Sequence, residues 1–90
     1  MKVHRGTTVQ TAFRIEYKTF ETQKVDQIAN ETIDQIFGVN DGDYMIRNQM
    51  THPTPGGKTY RVYLVEDNDK QMHEIYFEMV KIPSEGTTFL

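Results

Sequence analysis

Apolar residues recur every three or four positions between residues 22 and 37, and this spacing predicts an amphipathic helix. The apolar stripe consists of Val25, Ile28, Ala29, Ile33 and Ile36, with Phe37 beside it. Polar residues occupy most of the opposite side. We expect Thr22 to cap the N-terminus of the helix and Gly38 to end it with a positive φ angle.

The rest of the chain alternates with a period of two, which is typical of half-buried strands. Strong alternation predicts a first strand over 9–20, with Val9, Phe13 and Ile15 on the same face. Three later segments predict further strands: 44–50, 59–66 and 72–82. The turn signals between them lie at 40–43, 51–58 and 67–70.

The order β-α-β-β-β predicts an α+β fold in which one helix packs on one face of a mainly antiparallel four-stranded sheet. We treat 1–90 as one domain, with residues 1–8 as an N-terminal arm and 83–90 as a C-terminal tail. Pro53 and Pro55 lack backbone donors and are expected to keep the second strand from continuing past residue 50. The pattern leaves open whether the first two strands run parallel.

The register of the last two strands determines which of their residues face away from the helix. Pairing Glu66 with Gln71 across a four-residue turn brings Val62 opposite Ile75 and gathers aliphatic pairs on the helix side. The same register sends Arg61 and Tyr63 to the outer face of the sheet.

Composition fits a folded domain with a small core. Of the 90 residues, 37% are hydrophobic and 11% aromatic, which argues against disorder. A chain of this length buries a modest core, so a dimer contact would strengthen it. The absence of cysteine excludes disulfides and thiolate sites and favours a reducing cytoplasm. No apolar run follows the charges at the N-terminus, so no secretion signal is expected.

The outer face of the predicted sheet is the first candidate surface. Tyrosine, methionine and arginine, which are enriched in protein interfaces, are expected there together. The predicted contact residues are Met45, Arg47, Arg61, Tyr63 and Tyr76. The competing interpretation is a solvated face with ordinary cross-strand pairs.

The polar side of the helix is the second candidate surface. Asp26, Glu31 and Asp34 give it a negative charge that Lys24 offsets only in part. Such a surface suits a basic partner, although a hydrated helix face has the same composition.

Motifs for chemistry are sparse, so we predict no catalytic residue, no cofactor and no metal site. Gly56-Gly57-Lys58-Thr59 is similar to the end of a phosphate-binding loop, but His52 stands where that motif needs glycine, and a strand follows. The one serine, Ser84, lies in the tail. The three histidines are far apart in sequence and lack metal-ligand spacing.

These features favour a small, non-enzymatic, cytoplasmic protein-binding module, such as an adaptor, modulator or inhibitor of a partner protein. Compact accessory proteins from phages and mobile elements have this plain composition. A homodimer is a further expected partnership, and no membrane contact is expected. The alternative is a nucleic-acid binder that uses the tyrosine and arginine side chains of the sheet. A second alternative is a small enzyme with a dimer-cleft site lined by His52 or His73.

Overall fold

One helix packs on one face of a four-stranded mixed sheet, so the predicted α+β fold is confirmed. The computed structural model describes residues 6–18, 21–40 and 42–82. The elements are a short 3-10 turn, Val9–Thr11, then β1 (Phe13–Lys18), α1 (Thr22–Phe37), β2 (Tyr44–Pro53), β3 (Thr59–Asp67) and β4 (Met72–Ile82). No helix in these described ranges is long and apolar enough to cross a membrane.

The strands lie in the order β1-β4-β3-β2. Strand β1 runs parallel to β4, whereas β3 is antiparallel to both β4 and β2. The first two strands therefore form opposite edges of the sheet and do not pair. Helix α1 connects these edges and covers one face of the sheet, which we call the inner face.

The core lies between α1 and the inner face. Of the predicted stripe, the helix buries Val25, Ala29 and Ile33, together with the neighbouring Phe37, whereas Ile28 and Ile36 are partly buried. The sheet contributes Ile15, Tyr63, Val65, Ile75 and Phe77.

The predicted N-terminal cap of the helix, Thr22, is wrong, whereas the predicted end at Gly38 is confirmed. Glu21 is the capping residue at the N-terminus, and Thr22 is the first helical residue. The Glu21 carboxylate accepts a hydrogen bond from the backbone N–H of Lys18 and does not cap the helix. At the other end Gly38 has the expected positive φ, 124°, and its N–H donates to the carbonyl of Asp34.

The first strand is shorter than its alternation predicts, because residues 9–11 form the 3-10 turn. Thr8 and Thr11 hydrogen bond reciprocally through side chains and backbone, a local arrangement that competes with strand pairing. The nearby Gly6 is buried, and its carbonyl accepts the N–H of Tyr76. Gly6 of the predicted arm therefore contacts β4. Residues 1–5 of the arm, and the tail, lie outside the described residues.

The expected end of the second strand at residue 50 is wrong, since β2 continues to Pro53. Because β2 is an edge strand, a proline without an N–H can lie on its unpaired side. A register shift between Ile46 and Asn48 marks a bulge at Arg47. Such bulges are common on sheet edges, where they discourage pairing with another strand.

The predicted register of β3 and β4 is wrong by one residue. Glu66 pairs with Met72, and Tyr63 pairs with Ile75. The turn has three residues between Asp67 and Gln71, because Asp67 N–H donates to the Gln71 carbonyl. Lys70 closes this turn with a φ of 66°. A slip of one residue reverses the faces of β3 while β4 keeps the predicted ones.

Candidate functional site

The structure separates the five predicted contact residues. Arg61 and Tyr63 lie on the inner face, next to the helix, so their predicted outward placement is wrong. Tyr63 is 1% exposed and packs edge-on against Phe77, with ring centroids 5.5 Å apart. A side chain this buried cannot contact a partner. Met45 and Tyr76, in contrast, lie on the outer face as predicted.

Arg61 and Tyr63 converge on one carboxylate of the helix. The Tyr63 hydroxyl donates to Asp26 Oδ1 at 2.9 Å, and the Arg61 guanidinium donates to the same oxygen at 2.5 Å. Burial raises the pKa of Tyr63 to about 12, and the Asp26 acceptor adds to this, while Arg61 opposes it. Arg61 and Tyr63 of the first predicted surface are therefore bonded to Asp26 of the second, and these bonds hold α1 on the sheet.

A second acidic residue of the helix surface, Asp34, also binds a side chain of the sheet. The Tyr44 hydroxyl donates to Asp34 Oδ1 at 2.6 Å. Burial, and then the hydrogen bond and charge of Asp34, raise the pKa of Tyr44 to about 12. Glu31 is exposed on the helix. Asp26 and Asp34 each bind a side chain of the sheet, although Asp26 remains 53% exposed, so two of the three acidic residues are already paired with the sheet.

In the part of the chain that the structure describes, the face of the sheet opposite the helix carries a group of apolar side chains outside the main core. We call it the outer sheet face. Its apolar members follow from the strand registers and from the inner positions of Tyr63 and Val65. They are Met45 and Met50 on β2, Tyr60, Val62 and Leu64 on β3, and Met72, Tyr76 and Val80 on β4.

An apolar row crosses the middle of this face. Met50 pairs with Val62, and Val62 pairs with Tyr76. Val62 is 1% exposed although it lies on the face opposite α1, so the centre of this face is already closed in the folded chain. Met50 and Met72 remain 41% and 50% exposed. The outer sheet face thus combines a closed centre with flexible methionines at its surface.

A shallow hollow of about 180 Å³ adjoins this row, lined by Val9, His52, Thr54, Tyr60 and Tyr76. The hollow has aromatic walls and a single titratable imidazole, and no carboxylate lines it. It extends the apolar surface toward the 3-10 turn.

Charged side chains on and beside the outer sheet face form pairs of opposite sign. Arg47 Nε lies 2.6 Å from Glu66 Oε1, Lys58 Nζ lies 4.0 Å from Glu78 Oε2, and Arg14 lies 3.2 Å from Glu16. Arg47 therefore reaches the predicted face while engaged with a neighbour. Exposed pairs of this kind contribute little stability, but they neutralise the face locally.

A second polar cluster lies on the inner side of the β3–β4 turn. The buried Asp67 accepts hydrogen bonds from the N–H groups of Asp69 and Gln71 through Oδ1, and contacts His73 Nε2 at 2.8 Å through Oδ2. These bonds, led by that with His73, hold the pKa of Asp67 below its ordinary value. The His73 ring also packs on Phe37, so this cluster ties the turn to the end of α1.

Among the described residues, no group of three histidine, aspartate or glutamate side chains is arranged to hold a metal ion. His52 lines the apolar hollow, whereas His73 belongs to the turn cluster. The structure therefore does not bring these two histidines into one cleft.

Sequence reasoning missed Met50 and Met72, the exposed methionines that flank the apolar row. Alternation was a usable signal for Met72, which shares its face with Glu74 and Tyr76 in β4. Met50 lies five residues after Met45 and reaches the same face only because of the bulge at Arg47. Tyr60 and Val62 were also missed, because the predicted register placed them beneath the helix.

Comparison with protein-family models, with curated proteins and with solved structures finds no match for this chain.

Proposed function

We propose that this chain is a protein-binding module whose contact surface is the outer sheet face. The observation that carries the proposal is the set of exposed methionines, Met45, Met50 and Met72, around Val62 and Tyr76 on the face that α1 leaves uncovered. Exposed apolar surface of this extent, with polar residues at its rim, is typical of interaction sites. The module would act as an adaptor, modulator or inhibitor according to the partner it binds, in the cytoplasm that a cysteine-free chain suits.

Side-chain chemistry supports a protein as the ligand. Methionine adapts its shape to irregular apolar partners, and tyrosine offers a large contact area with few rotatable bonds. Met45, Arg47 and Tyr76 of the predicted contact set belong to this surface. The partly buried Leu64 extends it.

The alternative of nucleic-acid binding loses support from the placement of Arg61 and Tyr63 beside the helix. The charged side chains that the outer face keeps include Glu66, Glu74 and Glu78, whose negative charges repel phosphate. The enzyme alternative has less support, because no carboxylate lines the hollow beside His52, and His73, which does contact Asp67, packs on Phe37 in the turn cluster. Protein binding is therefore the function that the geometry favours.

The test is capture of binding proteins from an extract of the native host, followed by measurement with each captured protein in purified form. The bait proteins are the natural chain, a Met50→Glu variant and a Val39→Glu control. Val39 is 78% exposed in the segment after α1, so the control makes the same apolar-to-acidic change outside the proposed surface.

We expect Met50→Glu to weaken binding of the purified partner at least tenfold, and Val39→Glu to leave it unchanged. A tenfold change corresponds to about 1.4 kcal/mol, a modest penalty for a charge in an apolar contact. Equal affinity of all three baits for every partner would disprove the surface assignment. Retention on single-stranded oligonucleotides at low salt, lost in Met50→Glu, would favour the alternative.

A further inference from the structure

The outer sheet face also has features that select one particular partner. The molecule measures 55 × 29 × 19 Å, so its thinnest dimension holds only the helix layer and the sheet layer. Sheets pack face to face about 10 Å apart when both present apolar side chains. A second apolar sheet would therefore complete a layered core that this chain begins.

We infer that the occupant of the outer sheet face is a second copy of this chain. This inference rests on the proposed function and names the partner. The two copies would be related by a two-fold axis, the commonest symmetry of soluble oligomers, so that each apolar row packs on its equivalent.

Charge is the first argument for a second copy. The basic residues on or beside the outer sheet face, set by the strand registers and ion pairs, equal the acidic ones in number. They are Arg14, Lys18, Arg47 and Lys58 against Glu16, Glu66, Glu74 and Glu78. The whole chain carries a net charge of −3 at neutral pH, so the excess negative charge lies elsewhere. Two like-charged copies meet with least repulsion through a neutral surface.

Size is the second argument. Four strands about 4.8 Å apart and roughly 30 Å long give a face of about 570 Å² in projection. A stable interface of standard size removes about 600–1,000 Å² of accessible surface from each partner. A sheet face with side-chain relief reaches the lower part of that range, and a partner much smaller than this chain would leave the row uncovered.

The adaptable side chains are the third argument. A self-complementary contact brings each side chain near the same few neighbours, so flat faces with rigid side chains leave gaps. Met45, Met50 and Met72 can adjust to fill such gaps. Tyr76, which is only partly buried, supplies a larger contact area near the centre.

The experiment is sedimentation equilibrium of the full chain from low micromolar to near-millimolar concentration. We expect the natural chain to reach twice its 10.5 kDa mass. Met50→Glu and Met72→Glu should each weaken dimerisation at least tenfold, whereas Val39→Glu should dimerise like the natural chain. Circular dichroism and thermal unfolding establish that each variant is folded, and both methionines are exposed enough to tolerate the change.

Two results would overturn the inference. One is a single-chain mass over the whole concentration range. The other is a dimer that both methionine variants leave intact, which would place the interface on another surface. If the chain is monomeric but a different protein binds it and is lost in Met50→Glu, the inference fails while the proposed function stands. If neither the chain itself nor any other protein binds the outer sheet face, both fail.

Discussion

Removing the Tyr63 hydroxyl tests the assignment of faces on β3 directly. In the structure this hydroxyl donates to Asp26 Oδ1 at 2.9 Å, while the ring packs against Phe77. Tyr63→Phe keeps the ring contacts and deletes only the hydrogen bond. Asp26 keeps its Arg61 partner, so the substitution leaves no unpaired carboxylate.

The expected loss of stability is about 1 kcal/mol at neutral pH. Hydrogen bonds to charged groups contribute about 1.5–3 kcal/mol in mutational series, and the half-exposed Asp26 carboxylate places this one near or below the lower end. For a domain of this size, about 1 kcal/mol lowers the midpoint of thermal unfolding by roughly 4–8 °C. Total stability is expected at about 5–13 kcal/mol, so the variant should remain folded.

The same residue predicts an alkaline effect with a defined sign. Burial raises the pKa of Tyr63 to about 12 in the folded chain, against an ordinary value of 10.0. The unfolded chain therefore releases this proton first, and the neutral phenol stabilises the fold below pH 10. That contribution disappears as pH rises from 10 to 12. In Tyr63→Phe the loss of stability over this interval should be smaller than in the natural chain.

Urea unfolding, followed by circular dichroism across pH, measures both effects. Tyr76→Phe is the matched control, because its hydroxyl lies on the outer face, 3.3 Å from Glu74 Oε1, and should contribute less than about 0.5 kcal/mol. A loss in Tyr76→Phe equal to or greater than that in Tyr63→Phe would refute the assignment. So would a Tyr63 phenol that titrates near 10 in an ultraviolet difference titration.

Two further substitutions test the ends of the inner layer. Asp67→Asn should abolish part of the acid dependence of stability. The contact with His73 lowers the pKa of Asp67 in the folded chain below its ordinary value of 3.8. The Asp67 carboxylate therefore stabilises the fold above pH 3.8, and this stabilisation is lost as pH falls through the folded pKa. Urea midpoints at acidic and neutral pH measure this change. Gly38→Ala should destabilise by about 1 kcal/mol or more, because φ is 124° and an added Cβ would collide with the Asp43 carboxylate. Thermal unfolding measures the loss.

Matched controls exist for both substitutions. Asp69→Asn changes an exposed carboxylate in the same turn and should leave the acid dependence unaltered. Gly42→Ala imposes a similar positive φ where a Cβ meets nothing within 4 Å, so it should cost less than Gly38→Ala. An acid profile of Asp67→Asn that matches the natural chain, or equal losses for the two glycines, would contradict the respective argument.

The amino-acid sequence was sufficient for the elements whose signal is local. The apolar stripe of α1 specifies its bounds, since its buried positions repeat every three or four residues. The bounds of β4 also match the prediction. Both elements are long and strongly periodic, and no local hydrogen bond competes with them. Where such competition exists, at Thr8 and Thr11, alternation predicted a strand and the chain forms a turn.

The pairing of strands was decided by tertiary structure. The β3–β4 turn contains three residues instead of the four expected, and Lys70 closes it in a left-handed conformation. Lysine rarely adopts this conformation, so the residue type did not predict the turn. This one-residue difference exchanged the two faces of β3. It moved Tyr63 into the core and brought Tyr60 and Val62 to the outer sheet face.

What the sequence alone determined, then, is the helix, the number of strands and the inward face of β4, because each follows from periodicity within a segment. Only the tertiary structure decided that β1 pairs with β4 and that Asp26 binds Arg61 and Tyr63. These contacts join residues distant in the chain. The Asp26 contacts depend on the register that the β3–β4 turn sets. The pairing of β1 with β4 depends on the order of strands in the sheet, and a pattern confined to one strand carries no information about the strand it will meet.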